Sequence, residues 1–209
     1  MKCASVLKFA VGLFTVAVVV GCAEIPQKEI DTAQTALEEA TKAEADRYAP
    51  VEFMAARDSL HAAMAEIDRA KSQFPLLRSF GEAIQKLQSA TLAANHALGV
   101  AKVNKERAQN ETSNFLKQAR AAVDRDKVLL QQAPKGKDGR AVVVEIQNDL
   151  ATVEAAIAAA DSVRRTGDYL TARDKANACL TNAKAIGQEL KDAIDKKKAR
   201  SSTKGRGRT

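Results

Sequence analysis

Cysteine and histidine are the residue types here most able to do chemistry, and the 209-residue chain has three cysteines and two histidines. Cys22 differs from the others because it directly follows the apolar run of residues 9–20, in the order Val19-Val20-Gly21-Cys22. Cleavage before Cys22 would place its thiol and a free amine on one terminal residue. Both groups can carry acyl chains, so Cys22 would be able to hold lipid if the chain is cut there.

Residues 1–21 have the layout of a secretory signal. Lys2 and Lys8 supply the basic start, and 12 apolar-rich residues follow. That core suits a signal, whereas a membrane-spanning helix needs about 20 apolar residues. The sequence around the cleavage position resembles the lipobox of bacterial lipoproteins. The alternative is an ordinary secretory signal in which Cys22 carries nothing.

The lipobox resemblance also implies a location and a modification. Cys22 is followed by Ala23 and not by Asp. In bacteria with two membranes this implies an outer-membrane lipoprotein that faces the periplasm; with one membrane, it implies the outer face. The covalent lipid, palmitate included, would be the only non-protein group, since we expect no cofactor and no metal. Each buried methylene contributes about 0.8 kcal/mol, so two or more chains anchor a protein stably.

The remaining candidates for chemistry give no reaction. His61 and His96 fall on different predicted helices, so we expect no metal ion bound between them. Cys179 is interpreted as a buried small hydrophobe, with disulfide pairing between chains as the alternative. We therefore expect no enzyme activity. The carboxylates considered for acid–base work are assigned to solvated helix faces: Glu38, Glu39, Asp124 and Asp126.

Charge is concentrated at one end of the chain. Residues 23–195 hold 24 Lys and Arg against 26 Asp and Glu, whereas residues 196–209 hold seven basic residues and no acidic one. The basic segment either contacts anionic lipid or cell wall, or is a solubilising end. Its lack of aromatic residues, and the slightly acidic body, argue against nucleic-acid binding. The seven residues are Lys196, Lys197, Lys198, Arg200, Lys204, Arg206 and Arg208.

Apolar residues recur at the three- and four-residue spacing of helices almost throughout. Phe53, Leu60, Ile67 and Phe74 follow one another at intervals of seven and predict a seam for a partner helix. We predict an all-α fold, an elongated antiparallel helical bundle of coiled-coil-like αα-hairpins with about five helices. They cover residues 28–47, 50–73, 78–132, 140–165 and 169–197, with a bend open at 102–113.

The predicted organisation is a signal (1–21), a tether (22–29), a helical domain (30–195) and a disordered basic tail (196–209). The domain has two hairpin-like halves, about 50–132 and 140–195, divided by a loop containing Pro134. A weak repeat relates these halves, because Leu60 and Ile67 match Leu150 and Ile157 at an offset of 90. Ala90 and Ala94 likewise match Cys179 and Ala183 at an offset of 89.

Two short turns complete the pattern. Tyr48-Ala49-Pro50 interrupts the first helix, and Pro50 suits the first turn of the next. Between the last two helices, Gly167 suits a left-handed position and Asp168 an N-cap.

With Cys22, the Tyr48-Ala49-Pro50 turn and the Ala-rich helices, the chain resembles a family of alanine-rich bacterial lipoproteins of unknown function. That resemblance implies residence in the cell envelope and no reaction. We expect a structural or adaptor scaffold that acts through helix–helix contacts with envelope proteins. The alternative is a periplasmic binding module that holds a ligand or glycan between its hairpins. Oligomerisation stays open.

Overall fold

The structure, a computed structural model, describes residues 24–133 and 137–206. This part of the chain is all-α, which confirms the predicted fold class. A single 3-10 turn, Pro75–Leu77, accompanies six α-helices. These are α1 (Gln27–Lys42), α2 (Ala45–Tyr48), α3 (Pro50–Ser72), α4 (Gly81–Leu130), α5 (Lys137–Arg165) and α6 (Tyr169–Arg206).

Helix α4 is the axis of the molecule. Its 50 residues run without a break and span about 75 Å at 1.5 Å per residue. The helix is not interrupted at 102–113, where the sequence left a bend open. Ala101, Ala108 and Thr112 carry the buried stripe through this polar stretch, and each is at most 1% exposed. Packing on both sides therefore keeps helical a segment that has few apolar residues of its own.

Two three-helix bundles share this axis. In the first, α1 and α3 pack on the first half of α4, around buried side chains such as Ile30, Ile67 and Leu87. In the second, α5 and α6 pack on the second half of α4, around Leu150 and Leu190 among others. The last helix of the first bundle thus continues as the first helix of the second.

This tandem arrangement explains the weak repeat in the sequence. A shift of about 90 residues carries α3 onto α5 and the first half of α4 onto α6. Ile67 and its counterpart Ile157 are both buried, at 0% and 5% exposure. The halves therefore meet in the middle of α4, and not at the loop near Pro134 that the sequence pattern suggested.

Three predicted details are wrong. The first helix does not reach Arg47, because Glu44 adopts a left-handed conformation (φ 58°) and separates α1 from α2. Phe74, placed in the seam, is 67% exposed, because α3 ends at Ser72. The last helix passes its predicted end at residue 197 and reaches Arg206, into the tail expected to be disordered. Cationic side chains near a helix C-terminus favour such an extension.

The described residues contain no helix long and apolar enough to cross a bilayer. Cys22, the signal and residues 134–136 of the central loop lie outside the described residues.

Candidate functional site

Most of the basic residues proposed to contact an anionic surface lie near the end of α6. Within α6, Lys196, Lys197 and Lys198 are exposed and follow Ile194, which is buried at 6% exposure. Lys198 Nζ lies 3.9 Å from a carboxylate oxygen of Asp195. Arg200, Lys204 and Arg206 continue the same helix, whereas Arg208 and Cys22 lie outside the described residues.

The two histidines are not brought together. His61 and His96 are exposed on α3 and α4. Across residues 24–133 and 137–206, no group of three or more His, Cys, Asp or Glu side chains could hold a metal ion. Cys179 is buried at 4% exposure, as its place on the predicted stripe required. Burial raises the pKa of its thiol.

The densest polar cluster lies where the two bundles meet. The turn after α1 places Glu44 beside Lys105 of α4, with 2.5 Å between Oε1 and Nζ. The hydrogen bond from Lys105 is the main cause that lowers the pKa of Glu44, and it raises the pKa of Lys105 in return. Both side chains are about one-third exposed, so solvent weakens their attraction.

Tyr48 is the aromatic centre of this junction. It is 3% exposed and packs with Ala97, Ala101 and Ala108 of α4. The cationic groups of Arg47 and Lys105 lie 5.8 and 5.6 Å from its ring centroid, within cation–π range. Asn104 Nδ2 donates to the Tyr48 carbonyl oxygen across 2.7 Å. The Tyr48-Ala49-Pro50 turn therefore serves to attach α1 and α3 to the middle of α4.

The second bundle contacts this region through the turn between α5 and α6. Gly167 adopts φ 88° and Asp168 accepts a hydrogen bond from Thr171 N at 3.3 Å, as the sequence predicted for a helix stop and restart. Asp168 also accepts from Arg47 Nη2 at 2.6 Å. Hydrogen bonds from Thr171 and from Arg47 hold the pKa of Asp168 below its ordinary value. Thr112 Oγ1 donates to the Ala108 carbonyl oxygen at 2.6 Å within α4 and lies 3.3 Å from the Tyr169 carbonyl oxygen, so the start of α6 lies against α4.

A buried carboxylic acid lies deeper in the second bundle. Asp126 of α4 was assigned to a solvated face, and that assignment is wrong: it is 4% exposed. Its Oδ2 has no hydrogen-bond partner among the described residues. Burial raises the pKa of Asp126, against the smaller attraction of Arg125 and Lys191. Gly187 of α6 makes room for it, since a Cβ there would stand 2.5 Å from Asp126 Oδ1.

Asp161 of α5 is the opposite case. It is 9% exposed, but Arg164 Nε and Arg165 Nη2 donate to its two oxygens at 2.8 and 3.0 Å. These bonds, led by Arg164, lower the pKa of Asp161. The Arg164-Arg165 pair three and four residues after the aspartate is a local signal that could have found this cluster. No local sequence signal marks Asp126, because the residues that cover it come from α6, which is distant in sequence.

The described residues line several shallow grooves. One of about 620 Å³ runs between α1 and α4. Its lining mixes hydroxyl, amide and carboxylate groups, among them Thr35, Glu39, Thr91 and Asn95. An adjoining groove of about 380 Å³ includes Leu87 and Leu92. The described residues thus form grooves with mixed polar and apolar linings.

No protein family, curated protein or solved structure compared with this chain matches it.

Proposed function

We propose that this protein is a cell-envelope lipoprotein that acts as a structural or adaptor rod, anchored to a membrane through acylated Cys22. The observation that carries the proposal is the placement of the two ends. The chain enters α1 at the outer end of the first bundle, beside Ile67 and Phe80. The basic segment leaves the opposite end, since α6 starts at the junction and runs away from the first bundle.

The dimensions suit a spacer. From the start of α4 to the level of Thr112 is about 47 Å, and α6 continues from there for about 56 Å to Arg206. Such a rod holds its basic end about 100 Å from its anchored end. Seven cations there would meet an anionic polymer or surface, such as cell wall or lipid phosphates. Helix faces along the rod would serve envelope protein partners.

The anchor is tested by metabolic labelling with a palmitate analogue. Cys22→Ser should lose the label, and Cys3→Ser should keep it because the signal is removed. Cys179→Ser should also keep it. Labelling that persists in Cys22→Ser would refute the lipid anchor.

The distal contact is tested with charge-matched variants. Changing Lys196, Lys197 and Lys198 to Gln should weaken binding to isolated cell wall at low salt. Changing the exposed body residues Lys102, Arg107 and Lys117 to Gln removes the same charge and should have a smaller effect. Added salt should erase the difference, because screening acts over about 8 Å at physiological ionic strength. Equal binding by both variants would reduce the segment to a solubilising end.

A second candidate function is a periplasmic binding module. The groove between α1 and α4 favours it, because Asp31, Thr35 and Asn95 present the hydrogen-bonding groups that sugar hydroxyls use. Crosslinking in intact envelope followed by purification separates the two functions. Protein partners support the rod, whereas a co-purified glycan that Asn95→Leu removes supports the binding module.

A further inference from the structure

The loop between α3 and α4, residues 73–80, closes the outer end of the first bundle and exposes three apolar side chains. Phe74, Leu76 and Leu77 are 67%, 69% and 78% exposed, and we call them the apolar tip. Phe80, in the same loop, is 4% exposed and packs inside. The loop therefore buries one apolar side chain in the core and exposes three to solvent.

The backbone holds the tip in this position. Leu77 N donates to the Phe74 carbonyl oxygen at 2.9 Å within the 3-10 turn. Arg78 Nη2 donates to the Lys71 carbonyl oxygen at 2.8 Å and closes the last turn of α3. Three adjacent apolar side chains kept in solvent by such bonds differ from the single exposed apolar residues of ordinary surfaces.

The corresponding loop of the second bundle differs from the loop of residues 73–80 in length and in polarity. That loop, residues 166–168, has three residues where the first bundle has eight, and it reads Thr166-Gly167-Asp168. It is polar because it docks on another part of the chain, through Asp168 and Arg47. The loop of residues 73–80 is longer and apolar, and the described part of the chain leaves its tip uncovered.

The start of α1 lies close to the tip. Lys28 and Leu87 line one groove, so Lys28 lies about 9 Å along α4 from its first residue, Gly81. Cys22 is six residues before Lys28 in sequence, and six residues reach about 20 Å at most. The acyl chains proposed on Cys22 are thereby confined to the immediate neighbourhood of the tip.

We propose that the apolar tip inserts into the surface layer of the bilayer that holds the acyl chains of Cys22, and thereby sets the rod upright on the membrane. This inference rests on the proposed lipid anchor. The anchor keeps Lys28, which lies near the tip, within about 20 Å of Cys22, and this makes the second contact effectively intramolecular. A second copy or a protein partner lacks that advantage. Apolar side chains at the level of lipid headgroups add to the affinity that acyl chains provide.

The absence of Trp from the chain makes single-Trp variants a direct test. The full-length chain, purified from membranes with its lipid, is reconstituted into phosphatidylcholine vesicles with or without lipids brominated on their acyl chains. Phe74→Trp and Leu77→Trp report on the tip. Val103→Trp and Val128→Trp, at residues 56% and 57% exposed further along α4, are the controls. Neutral lipid excludes attraction through the basic segment.

We expect the emission of Trp at positions 74 and 77 to shift to the blue in vesicles and to be quenched by brominated lipid. Trp at positions 103 and 128 should show neither change. Tip emission equal to the controls would overturn the inference. A blue shift without bromine quenching would also overturn it, since another protein surface would then cover the tip.

Quenching at all four positions would show a rod that lies flat, which contradicts the upright arrangement. The palmitate label separates the two proposals. A protein that carries the label but has an unquenched tip would support the lipid anchor and refute the insertion of the tip. A protein that lacks the label but has a quenched tip would refute the anchor and support contact of the tip with lipid. Melting curves of the four variants should match the parent, because every substituted residue is exposed.

Discussion

Arg47 Nη2 and Asp168 Oδ1 form an ion pair of 2.6 Å between residues that are 121 positions apart in sequence. The pair joins α2, which follows the positive-φ residue Glu44, to the turn before α6, which contains the positive-φ residue Gly167. It is a direct side-chain link between two bundles that also share α4. Mutation of the two residues can therefore measure how much this contact between the bundles contributes to stability.

We expect Arg47→Ala and Asp168→Asn to be coupled. The side chains are 40% and 34% exposed, so a double-mutant cycle in urea unfolding should give at most about 1 kcal/mol, less in high salt. The control is Arg57 with Asp58, a more exposed pair at 3.9 Å, where no coupling is expected. Additive effects of Arg47→Ala and Asp168→Asn would contradict the link.

Asp126→Asn should stabilise the protein at neutral pH. Because burial raises the pKa of Asp126, the folded chain favours the protonated acid. The stabilising contribution of this group is complete below its ordinary pKa of 3.8 and is lost as pH rises through the raised value. Asn keeps the shape without ionising, so the gain in melting temperature should grow with pH.

Asp161→Asn serves as the opposite control. The pKa of Asp161 is lowered by Arg164 and Arg165, so its contribution is present above its ordinary pKa of 3.8 and is lost as pH falls. This variant should therefore melt earlier than the parent at pH 7 and equally in strong acid. The same pH trend in both variants would contradict the two environments described.

Gly187→Ala should destabilise the second bundle, whereas Gly99→Ala should not. A Cβ at Gly187 meets Asp126 Oδ1 at 2.5 Å, and overpacking of this kind costs about 1–3 kcal/mol. Gly99 has open space, so Ala there gains about 0.5–1 kcal/mol of helix preference. In an Asp126→Ala background, Gly187→Ala should turn stabilising. An unchanged cost in that background would place the clash elsewhere.

Cys179 should react slowly with a maleimide in the folded protein. Its burial within the second bundle both raises the pKa of the thiol and blocks access. Val103→Cys, at a residue that is 56% exposed, provides a thiol on the same rod that should react quickly. A dimer on a non-reducing gel that Cys179→Ser removes would show pairing between chains instead.

The sequence alone determined the helices and most of their buried faces. A spacing of three and four residues needs only the geometry of one helix, so Ile67 of the predicted seam was correctly predicted to be buried, and Leu60 is partly buried against the same core. The stop and restart around Gly167 was also local, because a left-handed residue and an N-cap act within one turn. The lipid anchor on Cys22 stays a prediction from sequence.

Only the tertiary structure decided how the helices combine. Whether α4 continues through 102–113 depended on the helices that flank it, and those contacts are long-range. Asp126 was misassigned for the same reason: its helix face is covered by α6, whose Gly187 leaves the space that the carboxyl fills. Phe74 kept the seven-residue spacing but fell beyond the end of α3, so the tertiary position of that loop turned a predicted core residue into an exposed one.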